Sequence, residues 1–418
     1  MRNQGKVCGG IVMDYQIERL KAEDYDELLA VLNRAFQKKE GAGFETDLPV
    51  MWERDDEHMG KHVAIRIEGK IAAAVGIYPL PAVVAGRPMM FGTVGNVATL
   101  PEYSGMGLMK QLVTFAMNET KRLGFDAVRL GGKRQRYNRY GFENGGVDYQ
   151  YWLTKKNLLD YYGGKEGEKR FGGSSLSGGL GLDLYLSFRQ VTGAEDELLD
   201  FVKERQESAE MYVERGDRKQ LYHTLSAWNS KIWVAFAPSG EPVGYLCVSE
   251  DGRNIAEHGA ISAQESYQMI CEWVLFSGVE EVLFHTAPWE CELNQMAGKV
   301  CEKWCLADTN HFNPHSWRKL LDALLQIKAK YWEIPAGGVT VEIEGYGTVA
   351  FEGTHCVDSD KEPQLKMTHL DAVRCLLGSM PVSAVIPQAA LEALPAESKW
   401  YLQSVFPLPL WWSNQDRV

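Results

Sequence analysis

The sequence predicts a mixed α/β (α+β) protein that is divided into three domains. The chain has 418 residues, which at about 150 residues per domain is too long for one compact core. Strand-like and helix-like patterns alternate over residues 15–160, and a similar order of patterns returns after residue 185. Because 45% of the residues are hydrophobic and 24% are charged, the composition is that of a folded protein and not of a disordered chain.

The first segment begins with a strand pattern at residues 15–20 and an amphipathic helix. That helix is predicted by apolar residues at helical spacing, namely Tyr25, Leu28, Leu29, Leu32 and Phe36. Turn-forming pairs then separate strand patterns at 62–67, 71–78, 82–84 and 91–100. A second helix pattern runs from Leu108 to Leu123 and ends at Gly124, and a strand pattern follows at 127–130.

A glycine- and serine-rich stretch at residues 163–181 predicts a surface connection after this segment. Strand and helix patterns then return in a similar order, at 185–191, 195–205, 232–236, 243–248, 264–276 and 281–285. The second segment is therefore predicted to be a diverged copy of the first. The last segment, with strands at 339–343 and 347–351 between two helices, predicts a small α+β domain. We divide the chain into residues 13–162, 163–310 and 311–418.

The charge of the chain excludes some classes of partner. Lysine and arginine total 44 and aspartate and glutamate total 56, which gives a net charge of −12 at pH 7. This balance disfavours nucleic acids and anionic membrane surfaces and suits a cationic small molecule. The longest uncharged apolar stretch, residues 71–86, contains Pro79 and Pro81 and is shorter than the ~20 residues of a membrane-spanning helix. We expect neither nucleic-acid binding nor membrane insertion.

Cysteine usage and the N-terminus predict a cytoplasmic protein. The 8 cysteines are spread along the chain without a compact framework, which is typical of reduced thiols. Residues 1–12 contain too short an apolar patch for a signal peptide, and we expect a domain start near Met13.

The most informative stretch of sequence is residues 94–110. A strand pattern ends at Pro101, and a turn containing Gly105 and Gly107 leads into the helix that begins near Leu108. Backbone N–H groups that point outward at such a helix start, together with the helix dipole, form a binding site for a diphosphate. The turn follows several hairpin-connected strands and lacks Gly-Lys-Ser/Thr, so it fits neither a dinucleotide-binding fold nor a nucleotide P-loop.

This strand–turn–helix resembles motif A of the GNAT N-acetyltransferase superfamily, which holds the pyrophosphate of acetyl-CoA. The later residues 136–143, with Tyr137, Gly141 and Phe142, resemble the Tyr-x-x-x-Gly-Phe element of that superfamily. The run Gly107-Leu108-Met109 resembles the Eis-type (enhanced intracellular survival) acetyltransferases. The sequence departs from the general GNAT pattern at Ser104 and Met109.

The resemblance implies a fold and an assembly. Eis-type proteins contain a catalytic GNAT domain, a degenerate second GNAT domain and a C-terminal sterol-carrier-like domain, which agrees with the three predicted segments. The resemblance also implies a homo-oligomer, specifically a hexameric ring.

The same resemblance implies acetyl transfer from acetyl-CoA to a primary amine. The acceptor is a polyamine-like or aminoglycoside-like amine or a protein lysine, and no metal is expected. By position, Val97, Ala98 and Thr99 would pair with the pantetheine arm, with Gly132 and Lys133 beside it. The pyrophosphate would bind the run Gly105, Met106, Gly107, Leu108, Met109 and Lys110. Tyr137 matches the tyrosine general acid, and the terminal carboxylate of Val418 matches the general base, although this tail ends in Asp-Arg-Val and not in an aromatic residue.

Acetyl transfer to an amine requires a base and a proton donor. An alkylammonium, with a pKa near ~10.4, must lose a proton before it attacks a thioester. Coenzyme A leaves as a thiolate with a pKa near ~8.5, and a phenol within hydrogen-bond range can supply its proton. Tyr137 is the candidate donor.

Other candidate sites have two interpretations each. Lys133, Arg134, Arg136 and Arg139 would either bind the 3′-phosphate of the coenzyme or form a solvated loop. The region of Trp52, Asp55, Asp56 and Glu57 would either flank the acceptor pocket or lie in solvent.

The pairs Cys301/Cys305 and His311/His315 are too closely spaced for a finger-type zinc site. In the second segment, residues 258–262 occupy the place of the glycine turn but lack its second glycine. They predict structural support or a wall of the acceptor pocket, and not a second coenzyme site.

The competing class of function is a non-catalytic carrier, in which the last domain binds a lipid or another small molecule and the GNAT fold is a scaffold.

Overall fold

The computed structural model of the protein describes residues 15–38, 43–162 and 185–416. The predicted connection at 163–181, the predicted domain start at Met13 and the terminal Val418 lie outside the described residues. None of the described helices is long and apolar enough to cross a membrane.

The residues up to 162 form seven described strands and six described helices. The strands are β1 Ile17–Arg19, β2 His62–Ile67, β3 Lys70–Val84, β4 Arg87–Thr99, β5 Ala127–Leu130, β6 Glu143–Gly145 and β7 Asp148–Thr154. The helices are α1 Tyr25–Ala35, α2 Phe44–Asp47, α3 Asp56–Met59, α4 Leu108–Arg122, α5 Arg134–Tyr137 and α6 Lys155–Tyr162.

The middle of the chain, from residue 185 to 316, repeats this alternation. Its strands are β8 Ser187–Val191, β9 Met211–Val213, β10 Lys231–Phe236, β11 Pro242–Val248, β12 Asn254–Ala260, β13 Glu281–Thr286, β14 Lys303–Ala307 and β15 Asn310–Pro314. Its helices are α7 Leu198–Glu207, α8 Arg218–Leu225, α9 Ala263–Ser277 and α10 Cys291–Val300.

The last hundred residues form the small α+β segment. Its strands are β16 Gly338–Ile343, β17 Gly347–Glu352, β18 His355–Asp358 and β19 Leu365–Met367. Its helices are α11 Trp317–Tyr331, α12 His369–Ala372, a π-helical turn Val373–Leu377, α13 Val382–Val385, α14 Gln388–Glu392 and α15 Ala396–Val405.

Apart from β9, which pairs with β3 in the first sheet, the first two sheets of the described residues have the same topology. The first has the order β1-β2-β3-β4-β5-β15-β6, and the second has the order β8-β10-β11-β12-β13-β7-β14. In each sheet the fourth and fifth strands are parallel and the other neighbours along this order are antiparallel. The second segment is therefore a structural copy of the first, as its pattern predicts.

The two copies exchange one strand with each other. β7 precedes the glycine-rich connection in the chain but pairs with β13 and β14 in the second sheet. β15 follows the second copy but pairs with β5 and β6 in the first sheet. Strand pairing therefore crosses the positions at which the sequence divides the chain, and each sheet needs a strand from the other segment. The domain limits themselves stay a prediction.

The long hairpin of β3 and β4 departs from the prediction in a second way. The patterns at 71–78 and 82–84 belong to one strand, β3. Pro79 and Pro81 lie in a part of β3 that pairs with β4 on one side and has no paired strand on the other. β2 pairs with β3 only as far as Gly76, and β9 pairs from Ala82 onward. A proline, which has no N–H, is tolerated in that gap.

The third sheet, of order β18-β17-β16-β19, shares its core with the first copy. One buried cluster joins Leu320, Leu324 and Phe351 of the last segment to Phe91 of β4 and Phe312 of β15. Burial of apolar surface thus ties the third segment to the first sheet.

We expect that substitution of Phe312 destabilises the whole protein. Its side chain is fully buried on the exchanged strand β15, so Phe312→Ala should lower the free energy of unfolding by about 3–5 kcal/mol. Trp304→Ala, on the exposed edge strand β14, should change it by no more than about 0.5 kcal/mol. Chemical denaturation of both variants measures the difference. Equal effects would contradict a structural role for the exchanged strand.

Candidate active site

The glycine turn that precedes α4 is exposed at the surface of the first copy. Gly105 and Gly107 have φ angles of 84° and 80°, and a Cβ added to either would meet nothing within 4 Å. The first intrahelical hydrogen bond runs from the N–H of Gln111 to the carbonyl of Gly107. The amides of Leu108, Met109 and Lys110 therefore precede the helical hydrogen-bond ladder. Exposed amides beside open space form the kind of site that binds a phosphate group.

The structure explains why this turn needs glycine. Gly107 is the N-cap of α4 in the left-handed conformation, which costs other residues about 1–2 kcal/mol. Leu108 is buried and Met106 is 39% exposed. The helix start is therefore anchored to the core by the side chain of Leu108, while the preceding turn lies at the surface.

The edge of β4 that faces β5 opens beyond Thr93. β4 pairs with β5 only over Phe91, Gly92 and Thr93, yet it continues to Thr99. Among the described strands, none pairs with β4 on this side at Val97, Ala98 and Thr99. The backbone of these residues therefore borders a wedge between two parallel strands, and the wedge leads to the start of α4.

A buried network of polar side chains lies at the bulge of β4. Asn96 has a φ of 51°, and the register of β3 and β4 shifts there. Its amide donates to the hydroxyl of Tyr78 at 2.6 Å, and this hydroxyl lies 2.7 Å from Nε2 of His62. Burial lowers the pKa of His62 to about 4, so the imidazole is neutral at pH 7. The residues are scattered in the sequence, and no pattern predicts the network.

Tyr137 is the last residue of α5, the short helix that follows β5 in the chain. Its side chain is buried, and its ring packs near Gly132, where a Cβ would come within 2.9 Å. Burial raises the pKa of the Tyr137 phenol, while the guanidinium of Arg136 acts in the opposite direction. The phenol therefore stays protonated through neutral pH, which is the state that a proton donor needs.

The basic residues near Tyr137 divide into two groups. Arg134 is committed to the buried Glu143, with one contact at 2.6 Å. Arg139 lies over the ring of Tyr140. Lys133 and Arg136 are exposed and form no salt bridge within the described part of the chain. Both are candidates to contact a phosphate.

The C-terminal tail lies against the first sheet. The ring of Trp412 packs 5.1 Å from the ring of Phe91. The guanidinium of Arg129 on β5 lies over the Trp412 ring, 5.4 Å from its centroid. Arg129 also donates to the backbone carbonyl of Asp416. Val418, the implied base, is two residues further along the chain and outside the described residues.

The second copy holds the same tail through a buried charge cluster. The guanidinium of Arg215 donates to both oxygens of Glu257, at 2.7 and 2.6 Å, and to both oxygens of Asp416, at 2.9 Å. Burial alone would raise the pKa of Glu257, but Arg215 holds it below its usual value. Burial raises the pKa of Asp416, and the charge of Glu257 adds to the rise. Sequence patterns do not predict this cluster, since its members are separated by up to 201 positions.

Three of the candidates near a possible acceptor pocket make contacts within the fold. Trp52 is buried and packs 5.3 Å from the ring of His62. Asp55 caps α3 by accepting from the N–H of His58, and Asp56 accepts from the N–H of Ala22.

The cysteine and histidine pairs do not meet. Across the described ranges, the only three metal-ligating side chains that come within 4.8 Å of one another are Glu53, Asp55 and His58. Glu53 is already bound to Lys219, and Asp55 to His58.

Comparison with known proteins identifies the first copy. Residues 16–145 match the family described as an acetyltransferase (GNAT) domain. This part of the chain is therefore a GNAT acetyltransferase domain, and the predicted class of enzyme is confirmed. No curated protein sequence matches the chain.

The fold of the whole chain is that of the Eis-type proteins. Eis1 from Mycobacterium abscessus has a TM-score of 0.64 at 12% identity, over 97% of this chain and 100% of that one. A probable N-acyltransferase from Enterococcus faecalis gives 0.65 at 14% identity, over 96% and 99%. A GCN5-related N-acetyltransferase from Kribbella flavida gives 0.62 at 16% identity, over 97% and 98%. At these identities the likeness is one of fold, and it confirms the predicted resemblance.

We expect the loss of Arg215 to destabilise the protein strongly. Arg215→Met leaves two carboxylates buried without a cation, which costs about 3–5 kcal/mol in such sites. As a matched control, Arg218→Met removes an exposed arginine paired with Asp200, and its effect on unfolding should be small. Denaturation midpoints at pH 7 compare the two variants. A midpoint for Arg215→Met equal to that of the control would contradict the described cluster.

Proposed function

We propose that the protein transfers the acetyl group of acetyl-CoA to a primary amine. The observation that carries this proposal is the arrangement of the first copy, in which an open glycine turn, an open strand edge and a buried phenol follow one another along a single wedge. Together with the GNAT family match, these features supply a phosphate site, a site for an extended arm and a proton donor.

The candidate residues bind different parts of the coenzyme in this proposal. The amides of residues 105–110 bind the pyrophosphate, and the free edge at Val97, Ala98 and Thr99 pairs with the pantetheine arm. Gly132 and Lys133 lie on the opposite side of that arm. The exposed cations Lys133 and Arg136 are suited to the 3′-phosphate.

Starting from the ammonium, the transfer removes two protons from the nitrogen and supplies one to the sulfur. The first is removed before attack, and the second leaves the nitrogen as the amide forms and restores the phenol of Tyr137. The amine nitrogen, once deprotonated, forms a bond to the thioester carbonyl carbon, and the carbon–sulfur bond breaks. Tyr137 gives its phenolic proton to the departing thiolate, and the raised pKa of the phenol keeps that proton available. The terminal carboxylate of Val418 takes the proton of the attacking ammonium, a role that the Eis-type resemblance implies.

The acceptor is proposed to be a cationic amine, either polyamine-like or aminoglycoside-like or a lysine side chain. The net charge of −12 favours the approach of a cation. We further propose a cytoplasmic enzyme, from the cysteine usage, and a sterol-carrier-like fold for the last segment and a homo-oligomer, both from the Eis-type resemblance. Thiol release from acetyl-CoA across a panel of amines tests the activity and separates it from a non-catalytic carrier, which would release none.

We expect Tyr137→Phe to lower kcat by about 10²-fold or more, since a positioned general acid contributes that much. The KM for acetyl-CoA should stay within about twofold, because the coenzyme contacts are made by the backbone of other residues. Steady-state thiol release measures both constants. Tyr140→Phe, three positions further on, should retain full activity. A wild-type kcat in Tyr137→Phe would exclude the acid role.

Extension of the chain beyond Val418 tests the proposed base. A few residues added after Val418 move the carboxylate away, and we expect acetyl transfer to fall to background at pH 7. An equal extension ahead of Met1 should leave transfer unchanged. Full activity with the C-terminal extension would assign the base to another group.

A further inference from the structure

The second copy contains a cleft that the proposed transfer reaction does not use. The cavity has a volume of about 450 Å³, within the range of small-molecule sites. It lies where β12 and β13 separate, since these strands pair only at Asn254 and Ile255, whereas β12 continues to Ala260. By topology this is the counterpart of the wedge between β4 and β5.

The cleft is not built for a coenzyme. In the first copy, eight residues, 100–107, separate β4 from α4, whereas only Ile261 and Ser262 separate β12 from α9. The hydroxyl of Ser262 accepts from the N–H of Glu265 at 3.2 Å, so the start of this helix is capped by its own side chain. One amide of this helix start is therefore already occupied, and the glycine turn that precedes the helix in the first copy is missing.

The charge of the cleft favours a cation instead. Two arginines line it, Arg205 and Arg215, against five acidic residues. The acidic residues are Glu210, Glu257, Glu290, Glu292 and Asp416. Arg205 is paired with Glu204, and Glu210 with Lys330. The lining therefore repels anions and attracts an ammonium group.

Glu290 is the carboxylate in position to meet that ammonium. Within the described part of the chain, neither lysine nor arginine pairs with it. One oxygen accepts from the N–H of Ala287 at 2.6 Å, and the other lies 3.8 Å from Nε2 of His258. A carboxylate at the wall of a cleft without a partner cation is a natural counter-ion for a ligand.

His258 and two tryptophans complete the environment. The His258 side chain is 3% exposed, and its Nδ1 has no hydrogen-bond partner among the described residues. Because Nε2 lies 3.8 Å from the nearer oxygen of Glu290, beyond hydrogen-bond range, that oxygen stays available to a ligand. The rings of Trp289 and Trp411 lie 6.1 Å apart at the wall of the same cleft. Aromatic rings beside a carboxylate are the surroundings that alkylammonium ions prefer.

We propose that this cleft binds a small primary alkylammonium at a site separate from the acetyl-transfer site. Glu290 pairs with the ammonium, and Trp289 and Trp411 cover the alkyl chain. The tail separates the two sites, because Trp412 lines this cleft and also packs on Phe91 of the first sheet. The proposal does not depend on the proposed activity.

Calorimetric titration of the full-length protein with n-pentylammonium, in the absence of acetyl-CoA, tests the proposal. We expect binding that Glu290→Gln weakens by about tenfold or more, since the ammonium loses its counter-ion. The glutamine keeps an oxygen for the N–H of Ala287, so the fold is retained. Glu250→Gln removes the same charge at an exposed turn remote from the cleft and should bind like the wild type. The neutral analogue 1-pentanol should bind more weakly than the amine.

A second variant keeps the test decisive if Glu290→Gln does not fold. Ser208 is exposed at the rim of the cleft, and Ser208→Lys places a competing ammonium there, which should also weaken binding. Tyr137→Phe should bind n-pentylammonium like the wild type, because its site is elsewhere. Equal affinity of Glu290→Gln and Glu250→Gln, or of the amine and the alcohol, would overturn the proposal. Binding that depends on Glu290 in a protein without acetyl transfer would uphold it and refute only the proposed activity.

Discussion

The guanidinium of Arg215 joins the C-terminal tail to the second copy through buried ion pairs. It is shared between Glu257 of the second copy and Asp416 of the tail, and the carbonyl of Asp416 accepts from Arg129 of the first sheet. Such a cluster contributes little net stability when complete but is costly to break. It therefore fixes the position of the tail. Together with the exchange of β7 and β15, it prevents the two copies from acting as separate bodies.

The same strand arrangement occurs in both copies, but the two copies differ in chemistry at the point where the parallel strands separate. Both copies contain parallel strands that separate after two or three residue pairs, and each separation opens a cleft. The first cleft ends at a glycine turn whose amides face open space, and the second ends at a helix start capped by Ser262. The short connection before α9 removes the phosphate site, while the acidic and aromatic wall of the second cleft remains. The duplicated fold thus presents an open glycine turn in one copy and an acidic, aromatic cavity in the other.

The sequence predicts local features of this protein better than its long-range pairing. Gly105, Gly107 and Gly124 mark a turn and a helix end, and Tyr137 stands in a recognisable element; each signal lies within a few residues. The strand patterns at 71–78 and 82–84 form one strand, β3, because β2 stops pairing before the two prolines and β9 starts pairing after them. The local sequence of β3 does not show where these neighbouring strands pair. The exchange of β7 and β15 and the pairing of Arg215 with Asp416 join residues far apart in the chain. Such contacts are decided by the packing of whole segments.

The central claim is that only the first copy offers a phosphate-binding helix start. It is tested most directly by the stoichiometry with which the full-length protein binds acetyl-CoA in calorimetric titration. The account predicts one acetyl-CoA per chain. Two per chain would show that the second cleft also holds the coenzyme, and none would remove the basis for acetyl transfer; either result would contradict the account.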